Sequence, residues 1–398
     1  MAPPVVLTFV HYYLPGFKSG GPIRTLANLV AHLGGELDFR IVTADRDATD
    51  TAPFPDVAVD AWNAVGAARV FYASPGTQTV RGLARVVAAT PHDVLYFNSF
   101  FDAVFTVRTL VGRAAGLFPR SPVIIAPRGE FAASALSYKR WKKDPYLRVF
   151  RALGMERAVT WQASSAYEAE DILRVMRPPA ASVKIAPNLP AAELVRAPRG
   201  ARGAAGGPLR VAFLGRVSPI KNLDFALRVL ARVSAPVDFD IYGPVRDPAY
   251  WARCEQLIRG LPAHVKARYH GPLEPARVPA MMADHDLFIL PTQGENYGHV
   301  IPEALSAGTP VLIANTTPWR GLEAAGAGWD LPLDDEARFV ACVEDFAALP
   351  PERREAMRER AYEYVSRRLA APELVAANRE LFATAGLAPG HKDSEEKA

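Results

Sequence analysis

Two glutamates, Glu295 and Glu303, stand eight positions apart in the run Gly294-Glu295-Asn296-Tyr297-Gly298-His299-Val300-Ile301-Pro302-Glu303-Ala304-Leu305. The apolar run Leu287-Phe288-Ile289-Leu290 before them predicts a buried strand. The stretch from about His299 to Ser306 predicts a short helix, closed by Gly308 and Pro310. Glu295 then lies in a strand-to-helix loop and Glu303 about one turn inside the helix. Amides of Tyr297, Gly298 and His299 at the helix start are donors suited to an anion. The pair could hold the hydroxyls of a sugar and a ribose, with phosphates on the amides. The plainer alternative is a solvated loop glutamate and a second that ends a helical face.

A second segment, Phe213-Leu214-Gly215-Arg216-Val217-Ser218-Pro219-Ile220-Lys221-Asn222, ends a strand at Gly215 and opens a helix near Pro219. Arg216 and Lys221 project from that junction. Two fixed cations there suit a diphosphate leaving group, the arginine by bidentate contact and the lysine as a point charge. They could also be ordinary surface cations. A third, Gly20-Gly21-Pro22, opens the first helix, and glycines there let backbone approach a phosphate or sugar closely. As a lone signal it reads equally as a turn.

These residues need strand ends to hold them. Short apolar runs alternate with helical patterns throughout, which predicts α/β architecture with parallel sheets. The first half gives strands near Val5–Val10, Asp38–Thr43, Arg69–Tyr72, Asp93–Phe97, Val123–Ala126, Thr160–Ala163 and Val183–Ala186. Helices are expected over Pro22–Leu33, Asp102–Ala115 and Ser165–Met176, the last with a capping box from Ser165 to Glu168. Residues 196–208, rich in Gly, Ala and Arg, read as a linker. Strands then resume at Leu209–Leu214, Phe239–Tyr242, Ala267–His270, Leu287–Leu290 and Val311–Ala314. The expected domains are 1–195 and 209–371, with late helices Pro351–Leu369 and Pro372–Ala385 and a disordered polar tail over 389–398. Two doubly wound sheets would face each other across a cleft, through the carboxyl ends of their strands, where ligands bind.

At 398 residues the chain suits two domains. A net charge of +4 gives no nucleic-acid footprint. No uninterrupted apolar run is long enough to span a bilayer, and Met1–Val10 reads as a first strand rather than a signal peptide. Cys254 and Cys342 fall in helical patterns without metal spacing and read as buried thiols of a cytosolic protein. Asp284-His285-Asp286 reads as a helix end before a buried strand. Basic and aromatic residues mix over 137–151, including Lys139, Arg140, Trp141, Lys142, Lys143, Tyr146, Arg148, Phe150 and Arg151. Asp144-Pro145 is expected to break this stretch into two helices. Such a stretch suits an anionic membrane surface, or is a solvated helical face.

The segment from Glu295 to Glu303, with Pro302-Glu303-Ala304 and Ala307-Gly308-Thr309-Pro310-Val311 behind it, resembles the Glu-x7-Glu motif of retaining glycosyltransferases of family 4. Gly215-Arg216 with Lys221-Asn222 resembles the same family's Gly-Arg…Lys-Gly/Asn motif, and Gly20-Gly21 its early glycine pair. The resemblance implies the GT-B fold: two Rossmann-like domains, with the last helix, about 372–388, returning to the first. It implies donor binding by Gly20, Gly21, Arg216, Lys221, Glu295, Asn296, Tyr297, Gly298, His299 and Glu303, with Arg216, Lys221 and Glu295 also catalytic. His299 serves equally as a capping residue. The implied substrates are a nucleotide-diphosphate sugar, UDP first and GDP second by family frequency, and a glycan or lipid-linked acceptor in bacterial polysaccharide assembly. It implies retention by front-face attack with the departing phosphate oxygen as base, no metal, and no cofactor beyond the donor. The expected location is cytoplasmic, peripheral at the inner face of the membrane.

Acceptor-side candidates are Asn98, Arg128 and Glu130. Many family members carry a histidine near the sugar on this side, whereas this chain reads Pro127-Arg128-Gly129-Glu130. Glu130 could orient an acceptor hydroxyl or pair with Arg128, and Asn188 could be a ligand or a turn residue. Rival readings are another GT-B chemistry, such as a sugar-nucleotide epimerase or a phosphorylase, and a non-catalytic sugar-nucleotide-binding protein.

Overall fold

The computed structural model describes residues 2–137, 140–192, 196, 207–370 and 372–384. Most of the linker, the tail after 384, and Lys139 lie outside the described residues. The chain forms two compact units, the first running to residue 192 and taking in the segment from Pro372, the second spanning 193–371.

The first unit holds strands β1 (Val5–Phe9), β2 (Asp38–Ala44), β3 (Trp62–Val65), β4 (Ala68–Ala73), β5 (Val94–Phe97), β6 (Val123–Ile125), β7 (Thr160–Ala163) and β8 (Val183–Ile185). Their order is β3-β4-β2-β1-β5-β6-β7-β8. All neighbours are parallel except β3 against β4. Every residue of β5 is buried, as expected of a strand covered on both faces. β3 lacks that signal. It is a short antiparallel edge strand whose side chains are half-buried or exposed, turned by Gly66 at φ 59°, so its sequence carries no apolar run. Order reverses at β1, which has β2 on one side and β5 on the other. The carboxyl ends of β1 and β5 thus flank the switch point where open α/β sheets leave a crevice.

Helix Gly21–Leu33 buries Ile23, Leu26, Leu29, Val30 and Leu33 at helical spacing. Helix Pro372–Phe382 packs onto this same sheet: the Phe382 ring lies 6.0 Å from Phe39 and 5.7 Å from Tyr96. Burying one such ring contributes about 2 kcal/mol. The helix expected over 102–115 starts instead as a π-helical turn, Ala103–Val107, before α-helix Arg108–Ala114. Asp102 is the cause: its carbonyl accepts from Val107 N at 2.9 Å, and its Oδ1 caps the amides of Val104 and Phe105. Half of the expected capping box forms at helix Ala166–Met176. Ser165 Oγ accepts from Glu168 N, but the Glu168 carboxylate turns to Ser164 and Gly129 N.

The expected break at Asp144-Pro145 does not occur. One helix runs Arg140–Ala152 through Pro145. The ring removes one amide near the helix start, where the unpaired carbonyl belongs to exposed Trp141 and is open to water.

The second unit holds β9 (Leu209–Leu214), β10 (Val237–Tyr242), β11 (Val265–Gly271), β12 (Leu287–Leu290), β13 (Val311–Ala314) and β14 (Gly328–Leu331). The order is β11-β10-β9-β12-β13-β14, all parallel. Its switch point lies between β9 and β12. Cys254 and Cys342 are buried free thiols, and burial pushes both up to about 11. Asp286 pairs with the Arg210 backbone, and buried His285 bonds Asp240 Oδ2 at 3.1 Å. Among the described residues, no group of three His, Cys, Asp or Glu could hold a metal ion. None of their helices is long and apolar enough to cross a membrane.

Candidate active site

The segment after β9 descends from the sheet through Gly215 into Arg216. Gly215 N bonds Tyr242 O at 3.0 Å, Val217 N bonds Pro244 O at 2.9 Å, and Arg246 N bonds Val217 O at 3.2 Å. This clamp requires a glycine opposite. Gly243 sits at φ 129°, and a Cβ there would lie 1.9 Å from Gly215 O. The clamp also brings Arg246 beside Arg216. Burial and Arg246 together lower the Arg216 pKa, although Arg216 is open enough to solvent that water screens much of the repulsion. The Arg216 guanidinium makes no side-chain hydrogen bond among the described residues. Arg246 escaped the sequence reading because it stands in a β10 loop with no motif. Its only signal was the carboxyl end of a strand.

Lys221 ends a 3-10 turn, Pro219–Lys221, and Asn222 follows at φ 59° to start helix Leu223–Ala231. The expected helix start near Pro219 is therefore this turn. Ile220 O accepts from Gln293 N at 2.8 Å and Thr292 Oγ1 at 2.9 Å, which fastens the turn to the loop after β12. On its other side that loop is held by Thr316 Oγ1 to Thr292 O at 2.6 Å and Glu295 N to Thr316 O at 3.3 Å. The two loops meet in an ion pair between Lys221 Nζ and Glu295 Oε1, with side chains 14% and 13% exposed. Burial and Arg216 push the Lys221 pKa down to about 7, whereas the carboxylate in contact favours the ammonium. At that contact the ion pair decides, and Lys221 is charged.

Gly298 (φ 74°) turns the chain into helix Val300–Ser306, with Glu303 in its first turn. A Cβ on Gly298 would meet Ile301 Cδ1 at 2.9 Å and Glu295 Cγ at 3.4 Å. Trp319 Nε1 donates to Tyr297 O at 2.6 Å, and the Tyr297 ring lies 4.6 Å from His299. Tyr297 Oη is buried with no partner among the described residues. Burial raises its pKa, against the pull of Arg368. A buried hydroxyl left unmatched costs the fold its desolvation without a compensating bond. The structure thus brings together Arg216, Lys221, Glu295, Tyr297 and Gly298, with Asn296, His299 and Glu303 on the same loop and helix.

In the first unit, Gly20 (φ 64°) caps helix Gly21–Leu33, and Gly21 is its exposed first residue. Asn98 Nδ2 donates to Pro22 O at 3.2 Å, tying that helix start to the end of β5. The three acceptor-side candidates spend their polar atoms on the protein itself. Arg128, at φ 55°, donates to Asn98 Oδ1 at 2.8 Å, Asn188 Oδ1 at 2.5 Å, Tyr96 Oη and Gln162 Oε1. Asn188 is thus a strut on Arg128. Glu130 does not pair with Arg128. It accepts from Ser99 Oγ at 2.7 Å, Phe100 N at 2.6 Å and Phe101 N at 3.0 Å, and burial raises its pKa against those bonds. All four side chains hold the loops after β5 and β6 in place.

Residues 197–364 match the family model described as Glycosyl transferases group 1. A curated relative, D-inositol 3-phosphate glycosyltransferase of Rhodococcus erythropolis, is 31% identical over 117 residues, covering 27% of this chain. The matched part is 26% of that relative's length. Among solved structures, Anabaena HepE in complex with UDP and glucose gives a TM-score of 0.68 at 18% identity, over 96% of this chain and 99% of that one. Sucrose-phosphate synthase from Thermosynechococcus elongatus gives 0.69 at 17% identity, over 98% and 100%. The fold is that of the GT-B glycosyltransferases.

Proposed function

We propose that this chain is a retaining glycosyltransferase of family 4 type, moving a sugar from a nucleotide-diphosphate donor to a hydroxyl of a glycan or lipid-linked acceptor. The observation that carries this is the charge balance at the β9–β12 switch point. Arg216, Lys221 and Arg246 gather there, with Glu295 in contact with one of them. That surplus of cations suits a dianionic leaving group. The Lys221–Glu295 pair is a resting arrangement. A donor gives Lys221 a phosphate oxygen in place of the carboxylate, and gives Glu295 sugar hydroxyls in place of the ammonium, so neither group is left unpaired. Glu303 takes the ribose diol. Arg216 and Lys221 then stabilise charge growing on the departing diphosphate, which is the catalytic term. Because these side chains supply that charge, the reading requires no metal ion.

UDP is the favoured base, and GDP the second. The UDP-bound structural neighbour supports this order. The setting is a cytoplasmic enzyme of bacterial cell-surface polysaccharide synthesis, seated on the membrane. Helix Arg140–Ala152 supports the seat: Trp141 is 74% exposed, with Lys142 Nζ 4.8 Å from its ring centre, and Val149 and Leu153 are exposed at its other end. Calorimetric titration with UDP, GDP and ADP, alongside Lys221→Ala and Glu303→Ala, tests the donor site. One diphosphate should bind selectively and lose affinity in both variants; no binding of any would sink the reading. The anomeric configuration of the product by NMR decides retention, and sedimentation with anionic against neutral vesicles decides the membrane seat.

A further inference from the structure

Among the cations gathered at the second unit's switch point, Arg246 is left without a task by the donor. It stands in the loop after β10, on the far side of β9 from β12. Lys221, Glu295 and Glu303, which take the phosphates, the sugar and the ribose, lie in the loops after β9 and β12 or in the helix that follows. The Arg246 loop is pinned on both sides. Towards β9, Val245 pairs with Val217 in a parallel bridge, and Arg246 N bonds Val217 O at 3.2 Å. Towards β11, Gly243 N bonds Gly271 O at 2.8 Å, and Tyr269 Oη donates to Gly243 O at 2.8 Å. Val217 is fully buried, so Arg216 before it and Arg246 after Val245 both turn to the open side. The adjacent carboxylate is no partner: Asp247 caps helix Pro248–Arg259, its Oδ1 accepting from Tyr250 N at 3.0 Å. The Arg246 guanidinium has no hydrogen bond or ion pair among the described residues. Burial and then Arg246 lower the Arg216 pKa, and burial and then Arg216 lower that of Lys221. The cations thus form a row from Arg246 through Arg216 to Lys221, with Glu295 in contact at the Lys221 end.

Resting on the transferase reading above, we propose that Arg246 selects the acceptor: with Arg216 it takes an anionic group, phosphate or carboxylate, that the acceptor carries. The diphosphate occupies the Lys221 end of the row, because its sugar must reach Glu295. Arg216 is then shared, and Arg246 faces the second substrate. Two guanidinium groups with no carboxylate between them repel while the place is empty, and an anion between them ends that repulsion. A planar fork on each side suits the paired oxygens of a phosphate or carboxylate. A neutral acceptor leaves the repulsion in place, so the two arginines discriminate by charge. Arg246 is exposed and water screens part of the effect, which makes it a matter of selection rather than of tight binding. Arg246 is therefore a specificity residue and touches none of the reacting atoms.

The test uses the full chain saturated with whichever of UDP, GDP and ADP it binds, titrated by calorimetry with inorganic phosphate and with acetate at constant ionic strength. At least one anion should bind beside the nucleotide, and Arg246→Ala should weaken it about tenfold, a larger loss than the nucleotide itself suffers. Arg246→Lys, which keeps the charge and loses the fork, should recover part of that affinity. The anion that binds more tightly tells a phosphate-bearing acceptor from a uronate. Failure of both anions to bind, or binding that Arg246→Ala leaves unchanged, overturns the proposal while leaving the donor reading intact. Nucleotide affinity that falls in Arg246→Ala as far as in Lys221→Ala also overturns it, and moves Arg246 to the diphosphate. Protein that binds none of the three nucleotides overturns the transferase reading, and this proposal with it.

Discussion

Arg128 and Lys221 occupy similar places, each just past a strand near its own unit's switch point, yet their surroundings differ in kind. Arg128 meets four neutral acceptors, Asn98, Asn188, Tyr96 and Gln162, that match its fork of donors. Lys221 meets one carboxylate, with Arg216 close by and Arg246 in turn beside Arg216. A cation that braces a fold is surrounded by acceptors the fold supplies. On the transferase reading Lys221 is left among other cations because an anion enters there, and like charges raise the energy of the empty site. The charge left over, rather than the presence of an arginine or lysine, separates scaffold from site.

The strongest way to break this comparison is to remove both cations and ask which property each controls. Lys221→Ala should cost about 10²–10³ in kcat, with little change in Tm. Arg128→Ala should do the reverse, losing about 2 kcal/mol of stability because buried Asn98 and Asn188 lose their donor. Arg128→Lys should fail to restore it, since one ammonium cannot reach acceptors spread around a planar fork. Thermal denaturation beside steady-state kinetics separates the outcomes. Unchanged turnover in Lys221→Ala would remove the functional half of the contrast, and an unchanged Tm in Arg128→Ala the structural half.

This division also marks what the chain's letters reveal. Strands such as β5 and β12 are legible because unbroken apolar runs leave no other place for them than a buried parallel sheet. β3 is not, because an edge hairpin strand needs only one packed face. Arg216, Lys221, Glu295 and Glu303 stand out in the sequence by their spacing, and the fold sets Lys221 against Glu295 with Arg216 beside it. A contact between His11 Nδ1 and Asp102 Oδ1 joins residues 91 positions apart through a tertiary crossover, and no local pattern marks it. Glu130 shows the opposite failure. A carboxylate at a strand end invites a functional role, but only the fold reveals that Ser99, Phe100 and Phe101 already use it.

The resting ion pair offers a finer probe. If Glu295 competes with phosphate for Lys221, then Glu295→Gln should bind bare UDP several-fold more tightly at pH 6 while turning over its donor more slowly. The variant also exposes a pH dependence. Burial and Arg216 lower the Lys221 pKa, and without the carboxylate nothing in contact favours the ammonium, so the variant's pKa lies below the wild type's. Anion binding needs that ammonium, so UDP affinity in the variant should start to fall at a lower pH than in the wild type, by up to about tenfold per unit. The wild type should hold its affinity to higher pH. Calorimetry across pH 6 to 9 distinguishes these, and identical profiles would mean that the pair does not govern Lys221.

The smallest effect compares two glycines, one beside each cluster. Gly20 and Gly298 share left-handed backbone, φ 64° and 74°, so alanine at either costs about 1 kcal/mol of conformational strain. Space separates them. A Cβ on Gly20 meets nothing within 4 Å, whereas one on Gly298 presses on Ile301 at 2.9 Å and approaches Glu295 Cγ at 3.4 Å. Relief at Gly298 must move the loop that carries Glu295, and with it the partner of Lys221. Gly20→Ala therefore displaces no neighbour in the fold, and its cost to folding reads in Tm. Gly298→Ala should lower Tm by a similar amount and lose turnover as well, because displacement of a charged group by a few tenths of an ångström acts on the transition state. Equal turnover in the two variants would mean that the Glu295 loop adapts, and that its geometry is set by the donor rather than by the fold.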